Sequence, residues 1–206
     1  MSLFIQIHPE NPQARLIAQA ADVVRSGGVI IYPTDSGYAL GCGIGEKTAL
    51  ERICRIRHLD ERHHFTLVCR DLSEIATYAK VDNTAYRLLK AATPGPYTFI
   101  LPATREVPRR LMQPKRKTIG IRVPGNPIAR ALLDALGEPM MSTTLILPGE
   151  PHAESDPYEI RDRLDHEVDM IIDGGYGGLE VTTMVEFQES GPVILRHGLG
   201  DASLFE

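Results

Sequence analysis

The sequence predicts an α/β fold, a single domain with a twisted mixed sheet and flanking helices. Three observations lead there. Segments with helical apolar spacing alternate with short apolar, β-branched runs through most of the chain, and strands dominate toward its end. Proline and glycine mark the junctions, as at Gly27-Gly28, Pro33, Pro124 and Gly137. No repeat, low-complexity stretch or linker divides the 206 residues, and a hydrophobic content of 43% is enough for a sizeable core.

Charge and cysteine usage narrow the class. With 22 Lys and Arg against 27 Asp and Glu, the net charge is -5, which argues against a surface coated with nucleic-acid-binding charge but leaves room for a local basic groove. The 3 cysteines, Cys42, Cys54 and Cys69, form no C-x-x-C pair, so neither a zinc site nor a disulfide framework is indicated. Free thiols fit a reducing, cytoplasmic setting. Residues 1–13 lack the charged-then-apolar pattern of a signal peptide. No apolar run approaches the roughly 20 residues that span a bilayer, so no membrane partner is expected.

Asn11-Pro12 reads as an N-cap with proline at the first helical position. Leu16, Ile17, Ala20, Ala21 and Val24 then recur at helical spacing as far as Ser26. Gly27-Gly28 stops that helix, because glycine accepts the left-handed position after a helix end. Val29 to Tyr32 reads as a buried strand, ended by Pro33, which has no N–H to donate. Thr34, Asp35 and Ser36 are thereby placed just past the carboxyl end of a strand, where open α/β sheets bind ligands.

The glycines of Gly41-Cys42-Gly43-Ile44-Gly45-Glu46-Lys47-Thr48 resemble two phosphate-binding patterns and satisfy neither. A phosphate loop needs glycine before the lysine, and the dinucleotide fingerprint from Gly41 needs glycine at the same place; Glu46 stands there. A loop is the expected use of these glycines. Ala49 to Arg57 reads as a helix, His58 to His64 as a loop and Phe65 to Cys69 as a strand. Asp71-Leu72-Ser73-Glu74 opens a short helix to Ala79, and Asn83 to Ala91 is a second. A turn at Thr93-Pro94-Gly95-Pro96 leads into the strand Tyr97 to Leu101.

Arg105 to Lys117 is the most basic segment, with Arg105, Arg109, Arg110, Lys115, Arg116 and Lys117 against the single acid Glu106. Such a block makes a solvated loop or a contact for RNA phosphates. Thr118 to Val123 is a strand, Asn126-Pro127 opens a helix to Gly137, and Met140 to Leu147 is a strand. Asp156-Pro157 opens a helix to Leu164, and Val168 to Asp173, Val181 to Phe187 and Val193 to Arg196 are strands.

Polar groups placed at element ends carry the chemistry: Thr34, Arg55, Arg57, Arg122, Thr144, Thr182, Thr183 and Arg196. In Ile119-Gly120-Ile121-Arg122-Val123, alternation puts the three apolar side chains on one face and Arg122 on the other. A buried arginine needs an anion, and several converging arginines would form a planar clamp for phosphate or carboxylate. No G-x-S-x-G elbow occurs. His63-His64 lacks the helical spacing of a metal pair, so no protein-bound metal is expected and one of the two suits a phosphate near Arg57.

The run Gly28 to Gly41, Arg55-Ile56-Arg57, Pro94-Gly95-Pro96-Tyr97-Thr98-Phe99, Gly120-Ile121-Arg122-Val123-Pro124 and Pro139-Met140-Met141-Ser142-Thr143-Thr144 resemble the YrdC/YciO family. So do Ile171-Ile172-Asp173-Gly174-Gly175, Thr182-Thr183 and Leu195-Arg196-His197-Gly198, and together they cover nearly the whole chain. The resemblance implies a YrdC-like twisted α/β fold with a large concave basic cavity. It implies a nucleotidyltransferase, the synthase that makes threonylcarbamoyl-AMP from L-threonine, bicarbonate and ATP, with Mg²⁺ carried on the ATP, for tRNA adenosine modification. Members also bind double-stranded RNA and tRNA, which makes an RNA-binding module without synthase activity the alternative.

On this pattern Thr34, Arg122, Thr183 and Arg196 would hold the amino acid or carbamate. Arg55, Arg57, His64 and Thr144 would hold the nucleotide, with Arg55, Arg57 and Thr144 nearest the chemistry. Arg109, Arg110, Lys115, Arg116 and Lys117 would contact RNA. Two positions depart from the synthase pattern: Arg55 stands for a lysine, and Ile146 for an asparagine. A planar fork replaces a point charge, and an amide's donors and acceptor are lost.

Overall fold

The computed structural model describes residues 1–60 and 63–206. Its elements in chain order are β1 (Leu3–Gln6), α1 (Ala14–Arg25), β2 (Ile30–Pro33), β3 (Tyr38–Gly43), α2 (Lys47–Arg57), β4 (Thr66–Val68), α3 (Leu72–Tyr78) and α4 (Asn83–Ala92). They continue with β5 (Tyr97–Pro102), β6 (Thr118–Arg122), α5 (Pro127–Leu136), β7 (Met140–Thr144), α6 (Pro157–Leu164), β8 (Met170–Asp173), β9 (Thr183–Gln188) and β10 (Gly191–Arg196).

The described strands form one mixed sheet in the order β1-β8-β2-β3-β7-β4-β6-β5-β9-β10. The mixed α/β architecture expected from the alternating pattern is what the chain adopts. β4 has only 3 residues, pairs antiparallel to β7 and parallel to β6, and is the seam between two wings of sheet.

Strand alternation builds a core on each face. Ile30 and Tyr32 of β2 face one way and pack with Ile17, Ala20, Ala21 and Val24 of α1 and with Ile128, Leu132 and Leu133 of α5. Val29 and Ile31 face the other way, into a larger cluster that includes Ile53 of α2, Ile75 of α3, Leu89 of α4 and Ile160 of α6. Ile30 and Ile31 are fully buried, each contributing roughly 1.5–3 kcal/mol.

Several boundaries differ from the sequence reading, each for a local reason. Asn11-Pro12 does not cap α1; the helix starts at Ala14, and the N-cap residue Gln13 makes no side-chain capping bond. Asn126 does cap α5, with Oδ1 accepting from the amides of Ile128 and Ala129 at 3.0 and 3.1 Å. Of the glycines expected in a loop, Gly41 and Gly43 lie in β3 and Gly45 in the turn after it. A Cβ on Gly41 would come within 2.9 Å of the Tyr32 ring, so glycine there makes room for the aromatic residue on the neighbouring strand.

Candidate functional site

A cavity of about 110 Å³ lies across the β4 seam. Arg57 from the end of α2, the Ser142-Thr143-Thr144 run of β7 and Ile146 line one side. Thr98, Arg122, Thr182, Met184 and Arg196 line the other, and His63, His64 and Thr66 stand between. Among the described residues, three guanidinium groups and six hydroxyls thus meet in a lining without a carboxylate.

Arg122 is the deepest of the three arginines. Its strand neighbours Ile119, Ile121 and Val123 lie in the core, and alternation turns Arg122 away from them, as the sequence predicts. The residue is 5% exposed, yet Nε and Nη2 have no hydrogen-bond partner among the described residues. Burial works against its charge, opposed by Tyr32 and Asp35 nearby. Each unmet buried donor costs about 1–3 kcal/mol, more for a charged group, so an arginine held this way is built to meet an anion.

The other two are partly anchored. Arg57 donates from Nη1 to the carbonyl of Thr144 at 2.5 Å, while its buried Nε is unpaired. Arg196 donates from Nε to the Thr182 carbonyl at 3.0 Å and from Nη2 to the Thr182 hydroxyl at 3.1 Å. The Thr182 hydroxyl is in turn 2.7 Å from that of Thr98. Burial first, and then the like charge of Arg122, disfavour the charge on Arg196. Two guanidinium groups this close are reconciled by an anion between them.

Neutral groups complete the walls. The Tyr32 hydroxyl lies 2.7 Å from the Ser142 hydroxyl, fixing the latter from below. His63 Nε2 lies 3.1 Å from the Thr143 hydroxyl, and its ring meets Phe65 edge-on at 5.1 Å. Burial, then Arg57 and His64, push the His63 pKa down to about 4, so it is neutral near pH 7.

The residues expected at the site divide. Arg57, Arg122, Thr144, Arg196 and His64 share the cavity, and so does Ile146. Arg55 does not: its side chain is 71% exposed and reaches toward Glu167 at 4.0 Å. On α2, residues two apart point in different directions, so Arg55 and Arg57 cannot share a target. Thr34 is also outside the lining. Its hydroxyl donates to the Gly37 carbonyl at 2.6 Å and closes the turn at 34–37, while Asp35 receives the Gly125 amide at 2.9 Å.

Thr183 is displaced by strand parity. It is fully buried on the core face, donating to the Gly200 carbonyl at 2.6 Å and accepting from the Gly198 amide at 3.0 Å. Its neighbour Thr182 takes the place in the cavity.

The basic segment is an excursion between β5 and β6, held by buried Val107 and Leu111. Arg109, Arg110, Lys115, Arg116 and Lys117 are exposed, and none of them lines the cavity. Arg110 donates to the Gly45 carbonyl at 2.5 Å, and Arg116 pairs with the nearly buried Glu186 at 2.7 Å.

Sequence reasoning passed over Thr66, Thr98, Ser142, Thr143 and Met184, and of the pair His63-His64 it took His64 where both line the cavity. A signal existed for Thr98 and Ser142, each a hydroxyl set within an apolar strand. Among the described residues no group of three or more metal-ligating side chains occurs. Roomier hollows of about 930 and 600 Å³ lie elsewhere. The small cavity is the candidate because, among the described residues, it gathers the buried arginine donors without partners.

Comparison with known proteins follows this geometry. The family model for Sua5, YciO and YrdC, described as "Telomere recombination", matches residues 22–198. The "Uncharacterized protein YciO" of Escherichia coli (strain K12) is 64% identical over 205 residues, 100% of both chains. The crystal structure of E. coli YciO superposes with a TM-score of 0.97 over 100% of both chains. Threonylcarbamoyl-AMP synthase of Halorhodospira halophila is 30% identical over 189 residues, 91% of this chain and 98% of the relative. The crystal structure of P. abyssi Sua5 complexed with L-threonine has a TM-score of 0.87 at 25% identity, covering 96% of this chain and 58% of that one.

Proposed function

The chain belongs to the Sua5, YciO and YrdC family, and from that premise we propose that its arginine-lined cavity joins a carbamate to the α-phosphate of ATP. The reaction takes L-threonine, bicarbonate and Mg²⁺-ATP to threonylcarbamoyl-AMP, pyrophosphate and water. The threonine amine first adds to bicarbonate with loss of water, giving a carbamate. A carbamate oxygen then attacks the α-phosphorus, and the bond to the pyrophosphate oxygen breaks. No protein nucleophile is used; the protein supplies alignment and charge neutralisation.

One observation carries this reading: the orphaned Nε and Nη2 of buried Arg122, in a cavity shared with Arg57 and Arg196. The cavity would receive the carbamate and the α-phosphoryl group. Arg122 and Arg196 would face the carbamate. Arg57, with its second edge held by the Thr144 carbonyl, would face the phosphates. The hydroxyls of Thr98, Ser142, Thr144 and Thr182 are neutral donors that can follow charge as it moves. Ile146 and Met184 supply the apolar part of the wall.

Purified protein given ATP, L-threonine and bicarbonate should release pyrophosphate only when all three are present, and Arg57→Ala should abolish that release. Protein that neither binds nor turns over ATP under these conditions excludes the synthase reading.

A further inference from the structure

A hollow of about 600 Å³ separates one face of α2 from the turn Arg109–Leu111 and the residues after it. Lys47, Leu50, Glu51 and Cys54 recur at helical spacing on that face and run about 10 Å along the axis. Arg109, Arg110 and Met112 stand opposite. The volume is within the range of small-ligand sites, roughly 300–1,000 Å³.

The two ends of this groove differ. Arg110 belongs to the start of α2, where it donates to the Gly45 carbonyl. Glu51 on the helix face is matched by Lys47 at 3.7 Å. Arg109 is exposed and forms no ion pair with a described carboxylate. Leu59 belongs to the other end, its amide donating to the Cys54 carbonyl at 2.9 Å. Leu50, Leu59 and Met112 give aliphatic walls, and methionine adapts its shape to what it meets. Phe65 in the same lining is met edge-on by His63 at 5.1 Å, so its ring is already engaged and an alkyl chain suits the interior better than a flat ring. Glu51 and Asp60 also stand in the lining, and a polyphosphate would meet repulsion there that a single carboxylate at the arginine end avoids.

We propose that this groove binds a medium-chain fatty acid anion, with its carboxylate on Arg109 and Arg110 and its alkyl chain lying along α2 toward Phe65. The arginines offer the head group charge-assisted hydrogen bonds, and each methylene buried along the helix adds about fourfold in affinity. Binding is read without ATP or threonine, so it stands or falls apart from the reaction in the cavity.

The test is an isothermal titration of the full-length protein with decanoate, octanoate and decan-1-ol. Cys54 gives a second readout, because it is partly exposed while Cys42 and Cys69 are buried, so alkylation by iodoacetamide, followed by mass spectrometry, reports on the groove at one residue. Decanoate is expected to bind at one site, about tenfold tighter than octanoate and at least about tenfold tighter than decan-1-ol, and to slow Cys54 alkylation. Arg109→Glu, at an exposed position, should weaken decanoate at least about tenfold and leave decan-1-ol unchanged. No decanoate binding, decan-1-ol bound as tightly as decanoate, a Cys54 rate untouched at saturating decanoate, or an affinity indifferent to Arg109→Glu overturns the proposal. Arg109→Ala gives the same comparison if the glutamate variant does not fold.

Discussion

Thr182 holds Arg196 at two points, its carbonyl accepting from Nε and its hydroxyl from Nη2. The same hydroxyl meets that of Thr98, so a chain of three side chains runs from β5 through the start of β9 to β10. Arg196 is therefore presented in one orientation rather than left to wave at the strand end. Thr182→Val keeps the shape and removes the hydroxyl. We expect anion affinity to fall about tenfold, the worth of one hydrogen bond to a charged group, while Tm moves little. Isothermal titration with pyrophosphate checks this.

Arg122→Met should separate stability from binding. Removing a buried guanidinium with unmet donors relieves about 1–2 kcal/mol, which is roughly 2–8 °C in Tm for a chain of this size. Anion binding should fall at least about tenfold in the same variant. A thermal melt and a titration on one sample decide it; a lowered Tm would mean that Arg122 is structural.

His63 sets a pH signature. Its folded pKa of about 4 is below the ordinary value near 6.5. Between those values the unfolded chain binds a proton that the folded chain does not, so stability rises with pH. The contribution is complete above about pH 6.5 and is lost as pH falls toward 4. The slope is at most about 1.4 kcal/mol per pH unit, reduced because the ring is partly exposed. Denaturation midpoints of the wild type and His63→Gln should run parallel above about pH 6.5, and the wild type should fall away from the variant as pH drops toward 4.

Gly198→Ala should damage both fold and site. A Cβ there would meet the Val181 carbonyl oxygen and come within 2.6 Å of the Thr182 carbonyl carbon, which is backbone and cannot turn aside. The expected cost is about 1–3 kcal/mol. Because Thr182 must move, anion affinity should drop as well, measurable in the same titration.

The apolar skeleton was legible because periodicity and caps are local. Ile119, Ile121 and Val123 announced which way Arg122 points, and Asn126-Pro127 announced the start of α5. β1 was missed because Leu3–Gln6 is short and carries no turn signal. β3 was missed because Gly41 is there for a neighbour, Tyr32, that lies on another strand. Of the site, Arg57, Arg122 and Arg196 were named from the residues, and their convergence required long-range pairing. The choice of Thr183 over Thr182 turned on a parity that only the pairing of β9 with β5 settles. Arg55 stood beside Arg57 in sequence but not on the helix face that matters.

The three residues of β4 have a mechanical consequence. Arg57 and Thr144 are anchored on one flank of that narrow joint, Arg122 and Arg196 on the other. A ligand gripped by all of them acts as a rivet through both plates, so occupancy would be felt as stiffness along the line where the sheet is thinnest.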